Sequence, residues 1–70
     1  MINKLRLRLA HKIRSLRKKK GLTQEQLSGL ADMDYKYIQR IESKNPPSIK
    51  IDTIGILAKA LKVKPADLLK

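Results

Sequence analysis

Residues 23–42, TQEQLSGLADMDYKYIQRIE, restrict what this chain can fold into more than any other stretch. Thr23 precedes an apolar-periodic run and Gln26 stands three residues on, the pattern of a capping box that opens a helix. Leu27, Leu30 and Ala31 recur at i, i+3 and i+4 and predict one apolar face. Asp32-Met33-Asp34 interrupts that helix, and Asp34 is placed to cap a second one, whose first apolar positions are Ile38 and Ile41. Small residues (Ser28, Gly29, Ala31) lie between the two caps. Two short helices so close, with small side chains at the join, predict tight packing at a steep angle, as in a helix-turn-helix.

The rest of the chain supplies the support. Leu9, Ile13 and Leu16 recur at i, i+4 and i+7 and predict helix 1 over residues 9–20, with Lys12, Arg14, Lys18 and Lys19 on the other side. Lys18-Lys19-Lys20 suits the negative end of the helix dipole, and Gly21 is a C-terminal stop. Residues 43–48, SKNPPS, form a loop, because Pro46 and Pro47 forbid helix continuation. Helix 4 is predicted over residues 50–61 from Ile51, Ile54, Leu57, Ala58 and Leu61, with Ser48 or Asp52 as its cap. Gly55 inside it either permits close helix packing or has no role. Pro65 opens a last short helix over residues 65–69, where one of Leu68 and Leu69 completes the core and the other is free to meet a second subunit. The expected fold is all-α: a compact five-helix bundle over residues 9–70. Residues 1–8, MINKLRLR, alternate leucine with cations, which fits a strand, a helix extension or a frayed arm; a weakly structured basic N-terminal arm is the favoured reading.

Composition removes several classes of function. Seventy residues allow one domain with one small core. Without cysteine, and with His11 as the lone histidine, no disulfide and no metal site is expected, and no cofactor is implied. The core must be aliphatic, since Phe and Trp are absent. No apolar run approaches the roughly 20 residues that span a bilayer, and no apolar signal segment is visible, so a cytoplasmic or nuclear soluble protein is expected. The six acidic residues are scattered and no catalytic constellation appears, so no enzyme activity is expected. A net charge of +11 favours a polyanionic partner, nucleic acid first and an anionic membrane surface second. The plain alternative is that the charge only keeps the domain in solution.

The run from Gly21 to Leu27, GLTQEQL, followed by Tyr37-Ile38 and Ile41-Glu42, resembles the phage-repressor and Cro type of helix-turn-helix protein, the XRE family. The resemblance extends over residues 9–69 and departs at Asp32, where the family usually has a turn glycine. Asp tolerates the left-handed conformation better than most residues, so the turn is expected to survive with some strain. The resemblance implies a lambda-repressor-like bundle, a bacterial or phage source, and a role in sequence-specific binding of double-stranded DNA. It also implies an ion pair between Arg17 and Glu42, which locks helix 1 to helix 3; a phosphate contact by Arg17 is the competing reading.

Candidate DNA contacts follow from residue type and from the resemblance together. With Ile38 and Ile41 in the core, helix 3 turns Tyr35, Lys36, Gln39 and Arg40 outward, and all four side chains can hydrogen-bond. Arg40 or Lys36 suits guanine and Gln39 suits adenine. The resemblance places base reading on Tyr35, Lys36 and Arg40, with Gln39 at the margin, and a phosphate contact on Tyr37. Gln24, at the start of helix 2, suits a phosphate and, by resemblance, also braces helix 3. Lys44, Asn45 and Lys50 are further candidates for the flanking backbone. Asp34 is read as a cap. The leading function is a transcriptional regulator, a repressor, acting as a homodimer on a pseudo-palindromic operator. Dimer contacts would come from helices 4 and 5 or from the arm. An anionic membrane-surface binder, and an interaction module that has lost DNA binding, are the competing classes.

Overall fold

The computed structural model describes residues 3–70. Five helices follow one another: α1 (Lys4–Lys19), α2 (Gln24–Ala31), α3 (Tyr35–Ile41), α4 (Ile51–Ala60) and α5 (Pro65–Leu69). Helix α2 packs on α3 and α4, and α5 packs on α4 and α1. The core between them is aliphatic: Ile13, Leu27, Ile38, Ile41, Leu57, Leu61 and Leu68 have no exposed surface. Leu9, Ala31 and Ala58 complete it, and Leu16, Met33, Tyr37, Ile54 and Val63 pack against its edge. None of the described helices is long and apolar enough to cross a membrane.

The caps explain where the helices begin. Thr23 and Gln26 form a reciprocal capping box, the Thr23 hydroxyl accepting from the Gln26 N–H at 3.0 Å and Gln26 Oε1 accepting from the Thr23 N–H at 2.8 Å. Asp34 caps α3 by accepting from the Lys36 N–H at 2.8 Å. At α5 the Lys64 N–H donates to Asp67 Oδ2 at 3.1 Å, and this bond above all holds the Asp67 carboxyl below its ordinary pKa.

The helix ends share one device. After α1, α2 and α4, the residues Gly21, Asp32 and Lys62 take positive φ, at 70°, 54° and 58°. Each is followed by an N–H that reaches back five residues: Leu22 to the Arg17 carbonyl, Met33 to Ser28 and Val63 to Ala58, at 2.9–3.0 Å. These are Schellman endings, and their closing residues Leu22, Met33 and Val63 all pack on the core. Each ending therefore stops a helix and also aims the next segment back at the core.

Four expectations change. Residues 4–8 are not an arm but the first turns of α1, because the Asn3 side chain accepts from the Leu5 N–H at 2.8 Å and starts the helix there. Residues 1–2 of the expected arm lie outside the described residues. Leu30 is 60% exposed, whereas Ser28, on the opposite flank of the Leu27–Ala31 stripe, is buried with its hydroxyl donating to the Glu25 carbonyl at 2.7 Å. Ile51 is 81% exposed, because the first turn of α4 projects beyond the core. Neither Ser48 nor Asp52 caps α4: Lys50 holds the cap position without a side-chain bond, while Asp52 sits in the first turn and complements the dipole. A Cβ on Gly55 would meet nothing within 4 Å, so close packing does not account for this glycine.

Non-glycine residues at left-handed positions carry a cost of roughly 1–2 kcal/mol, less for Asp than for Lys. Asp32→Gly and Lys62→Gly are each expected to stabilise the fold by about 0.5–1 kcal/mol, the lysine site more, as measured by urea unfolding.

Candidate nucleic-acid interface

Helix α3 is short, and its two sides have opposite jobs. Ile38 and Ile41 are fully buried, and Tyr37 is half-buried against the core. At about 100° per residue, Tyr35, Gln39, Lys36 and Arg40 then occupy one continuous outer face, and all four are exposed. Two of them already touch, Gln39 Nε2 donating to the Tyr35 hydroxyl at 3.1 Å. A carboxamide that spends one N–H in this way keeps its other N–H and its carbonyl for a base edge.

Behind this face lies a polar junction. The Arg17 guanidinium donates from Nε to Glu42 Oε2 at 2.7 Å and from Nη2 to Glu42 Oε1 at 2.9 Å, a bidentate pair. Its Nη1 donates to the Leu22 carbonyl at 2.7 Å. Gln24 Nε2 donates to Glu42 Oε1 at 3.1 Å. The side chains of Arg17 and Glu42 are only 10% and 2% exposed. No buried side-chain polar atom among the described residues lacks a partner. The hydrogen bond to Glu42 is the main reason that the Arg17 guanidinium is held above its ordinary pKa. One carboxylate thus joins α1, the start of α2 and the end of α3.

The other candidate contacts spread around this frame. Gln24 is half-buried, with its amide committed to Glu42 and its place at the first turn of α2. Lys44 and Asn45 are exposed in the turn after α3, where the Asn45 N–H donates to the Ser43 hydroxyl at 3.3 Å. Lys50 is exposed at the start of α4. Sequence reasoning missed the bond from Arg17 to Leu22. Its only signal was Gly21, whose left-handed turn brings the Leu22 carbonyl back toward α1. It also missed that the His11 and Arg14 side of α1 borders Ser43 and Lys44. No group of acidic or histidine side chains among the described residues is arranged to hold a metal ion.

The sequence matches the helix-turn-helix family over residues 13–68. The chain belongs to this family, in its phage-repressor and Cro (XRE) branch. As a helix-turn-helix protein it is a DNA-binding regulator of transcription. It is 37% identical to the control protein C.BamHI of Bacillus amyloliquefaciens over 70 residues, 99% of this chain and 85% of that one. It superposes on the hypothetical transcription factor NHTF from Neisseria with a TM-score of 0.88 at 33% identity, covering 94% of this chain and 75% of the other. It also superposes on the restriction-modification controller protein C.AhdI from Aeromonas hydrophila, with a TM-score of 0.84 at 32% identity, covering 90% and 94%. Within this helix-turn-helix, α2 and α3 are the motif and Asp32 makes its turn in place of glycine.

Because the junction is nearly dry, removing one partner strands the other. Arg17→Ala is expected to cost about 3–5 kcal/mol in urea unfolding. Replacing both residues by apolar ones, Arg17→Met with Glu42→Leu, should recover part of that loss. A double-variant loss equal to the sum of the Arg17→Met and Glu42→Leu losses would show that the pair is not coupled.

Proposed function

We propose that the protein regulates transcription as a homodimer on a pseudo-palindromic operator, with α3 of each subunit in the major groove, and that it has no enzymatic activity. The observation that carries this reading is the outer face of α3. Four hydrogen-bonding side chains are displayed together there, while Ile38 and Ile41 fix the helix from behind. A major groove admits one α-helix, and Arg, Lys and Gln are the side chains that pair with guanine and adenine edges. Tyr35, Lys36, Gln39 and Arg40 are the base readers in this reading. Gln24, Tyr37, Lys44, Asn45 and Lys50 hold the backbone, and the charge of +11 draws the domain to DNA. The similarity to C.AhdI supports a controller of restriction–modification genes, working in the bacterial cytoplasm.

One helix reads only a few base pairs, so two subunits with recognition helices about 34–36 Å apart make a useful site. The apolar surface left open near α4 and α5 suits the subunit contact: Ile51 is 81% and Leu69 41% exposed. Leu69 also lines a cleft with Leu5, Leu9, Ile49 and Ile54.

Selection of bound sequences from random duplex DNA at fixed, near-physiological salt is expected to enrich a pseudo-palindrome. Uniform binding that disappears at moderate salt would reduce the protein to a nonspecific polycation. Arg40→Ala is expected to relax preference at particular base positions by about 1–3 kcal/mol, whereas Gln24→Ala weakens all sequences alike. An unchanged preference in Arg40→Ala would remove that residue from the readers. In sedimentation analysis, Ile51→Lys with Leu69→Lys is expected to shift the protein from dimer to monomer; an undisturbed dimer would place the interface elsewhere.

A further inference from the structure

Helix α1 carries cations on both flanks of its exposed side, and the two flanks have different neighbours. Leu7, His11, Arg14 and Lys18 follow the 4-3-4 spacing of one helical stripe. This stripe adjoins Ala10 and Arg17, the side of α1 that meets α3, and Leu7, His11 and Arg14 share a cleft with Glu42, Ser43 and Lys44. A second, shallow hollow on α1 itself adjoins it, lined by His11, Arg14, Ser15 and Lys18. Arg8, Lys12 and Lys19 lie about 100° further round, on the flank nearer Leu5 and Leu9, which line a cleft with Leu69 of α5.

The α3-side flank presents donors with nothing to receive them. Residues 4–19 contain no acidic residue. Glu42 lines the cleft, but its carboxylate is nearly dry and already filled by Arg17 and Gln24. Ion pairs among the described residues are Arg17–Glu42 and Lys70–Asp67, so neither Arg14 nor Lys18 is paired. Like charges at i and i+4, here Arg14 and Lys18, repel and cost the helix stability unless an anion lies beside them. Glu42 connects the two regions: Gln24 bonds it from the α2 side, and the cleft opens on the α1 side.

We propose that His11, Arg14 and Lys18 form a second phosphate-binding edge, which grips the DNA backbone beside the segment held by Gln24 and continues the line begun by Lys44. This edge rests on the DNA-binding reading above. It enlarges the backbone footprint beyond the helix-turn-helix itself and adds affinity without sequence preference.

The test compares the full 70-residue chain with Arg14→Ala, Lys18→Ala and Lys19→Ala, each titrated with the selected duplex across a salt series. Lys18 and Lys19 share the last turn of α1, so their effects on the helix dipole are alike and only their flanks differ. Losing one phosphate contact flattens the slope of log affinity against log salt by about 0.9. That change is expected for Arg14→Ala and Lys18→Ala, equally on selected and random duplexes, with the slope of Lys19→Ala unchanged. Phosphate-ethylation interference should lose a flanking position in Arg14→Ala. If all three variants behave alike while the wild type still selects a sequence, the edge is wrong and the DNA-binding reading stands. A wild type that binds no duplex overturns both.

Discussion

The nearly dry carboxylate of Glu42 is the point on which the arrangement of the first three helices depends. Arg17 reaches it from α1 and Gln24 from the start of α2, while Glu42 itself ends α3. Arg17 also holds the Leu22 carbonyl, so the chain leaving α1 is fixed by the same guanidinium. A planar fork with several donors can satisfy a carboxylate and a carbonyl together; a lysine could not do so with the same geometry. Domains of this size are stable by only a few kcal/mol, so an interaction whose loss costs about 3–5 kcal/mol decides whether they stay folded. The junction is also directional. It sets the angle at which α3 stands out from the domain, and hence where its outer face can meet a groove.

The core supplies the other half of that positioning. Ile38 and Ile41 anchor α3 through a single stripe, leaving Tyr35, Lys36, Gln39 and Arg40 outside the core. A helix of seven residues would not form alone in water, since nucleation is costly and short helices are marginal. It exists because Asp34 caps it and its inner stripe is packed. The outer side chains are therefore free for contacts outside the chain, and changing them should alter what is read more than whether the domain folds.

The Schellman endings tie local conformation to packing. Gly21, Asp32 and Lys62 reverse the chain, and Leu22, Met33 and Val63 then enter the core edge. Two of the three reversals use residues with a Cβ, so backbone strain is accepted in exchange for apolar burial at the next residue. At Asp32 that strain lies in the turn of the motif, between its two helices.

By itself, the sequence determined what local physics can decide. Helix order, the capping box at Thr23, the Asp34 cap, the stop at Gly21 and the buried stripe of α3 all depend on contacts within a few residues, so spacing and residue type suffice. The outward set on α3 was legible for the same reason: once Ile38 and Ile41 are buried, helical periodicity assigns the rest. Only the tertiary structure decided which apolar residues beyond that stripe are covered. Leu30 and Ser28 flank the Leu27–Ala31 stripe on opposite sides, and the neighbouring helices cover the side that carries Ser28. Ile51 carried an apolar signal but sits past the end of the core. Helix α1 begins at Lys4 because Asn3 caps it, whereas the alternation of leucine with cations fitted a strand, a helix extension or an arm alike. The seam between α1 and the end of α3, which places His11 and Arg14 beside Lys44, joins residues some thirty positions apart. No local pattern encodes such a meeting, because it follows from how the packed helices cross.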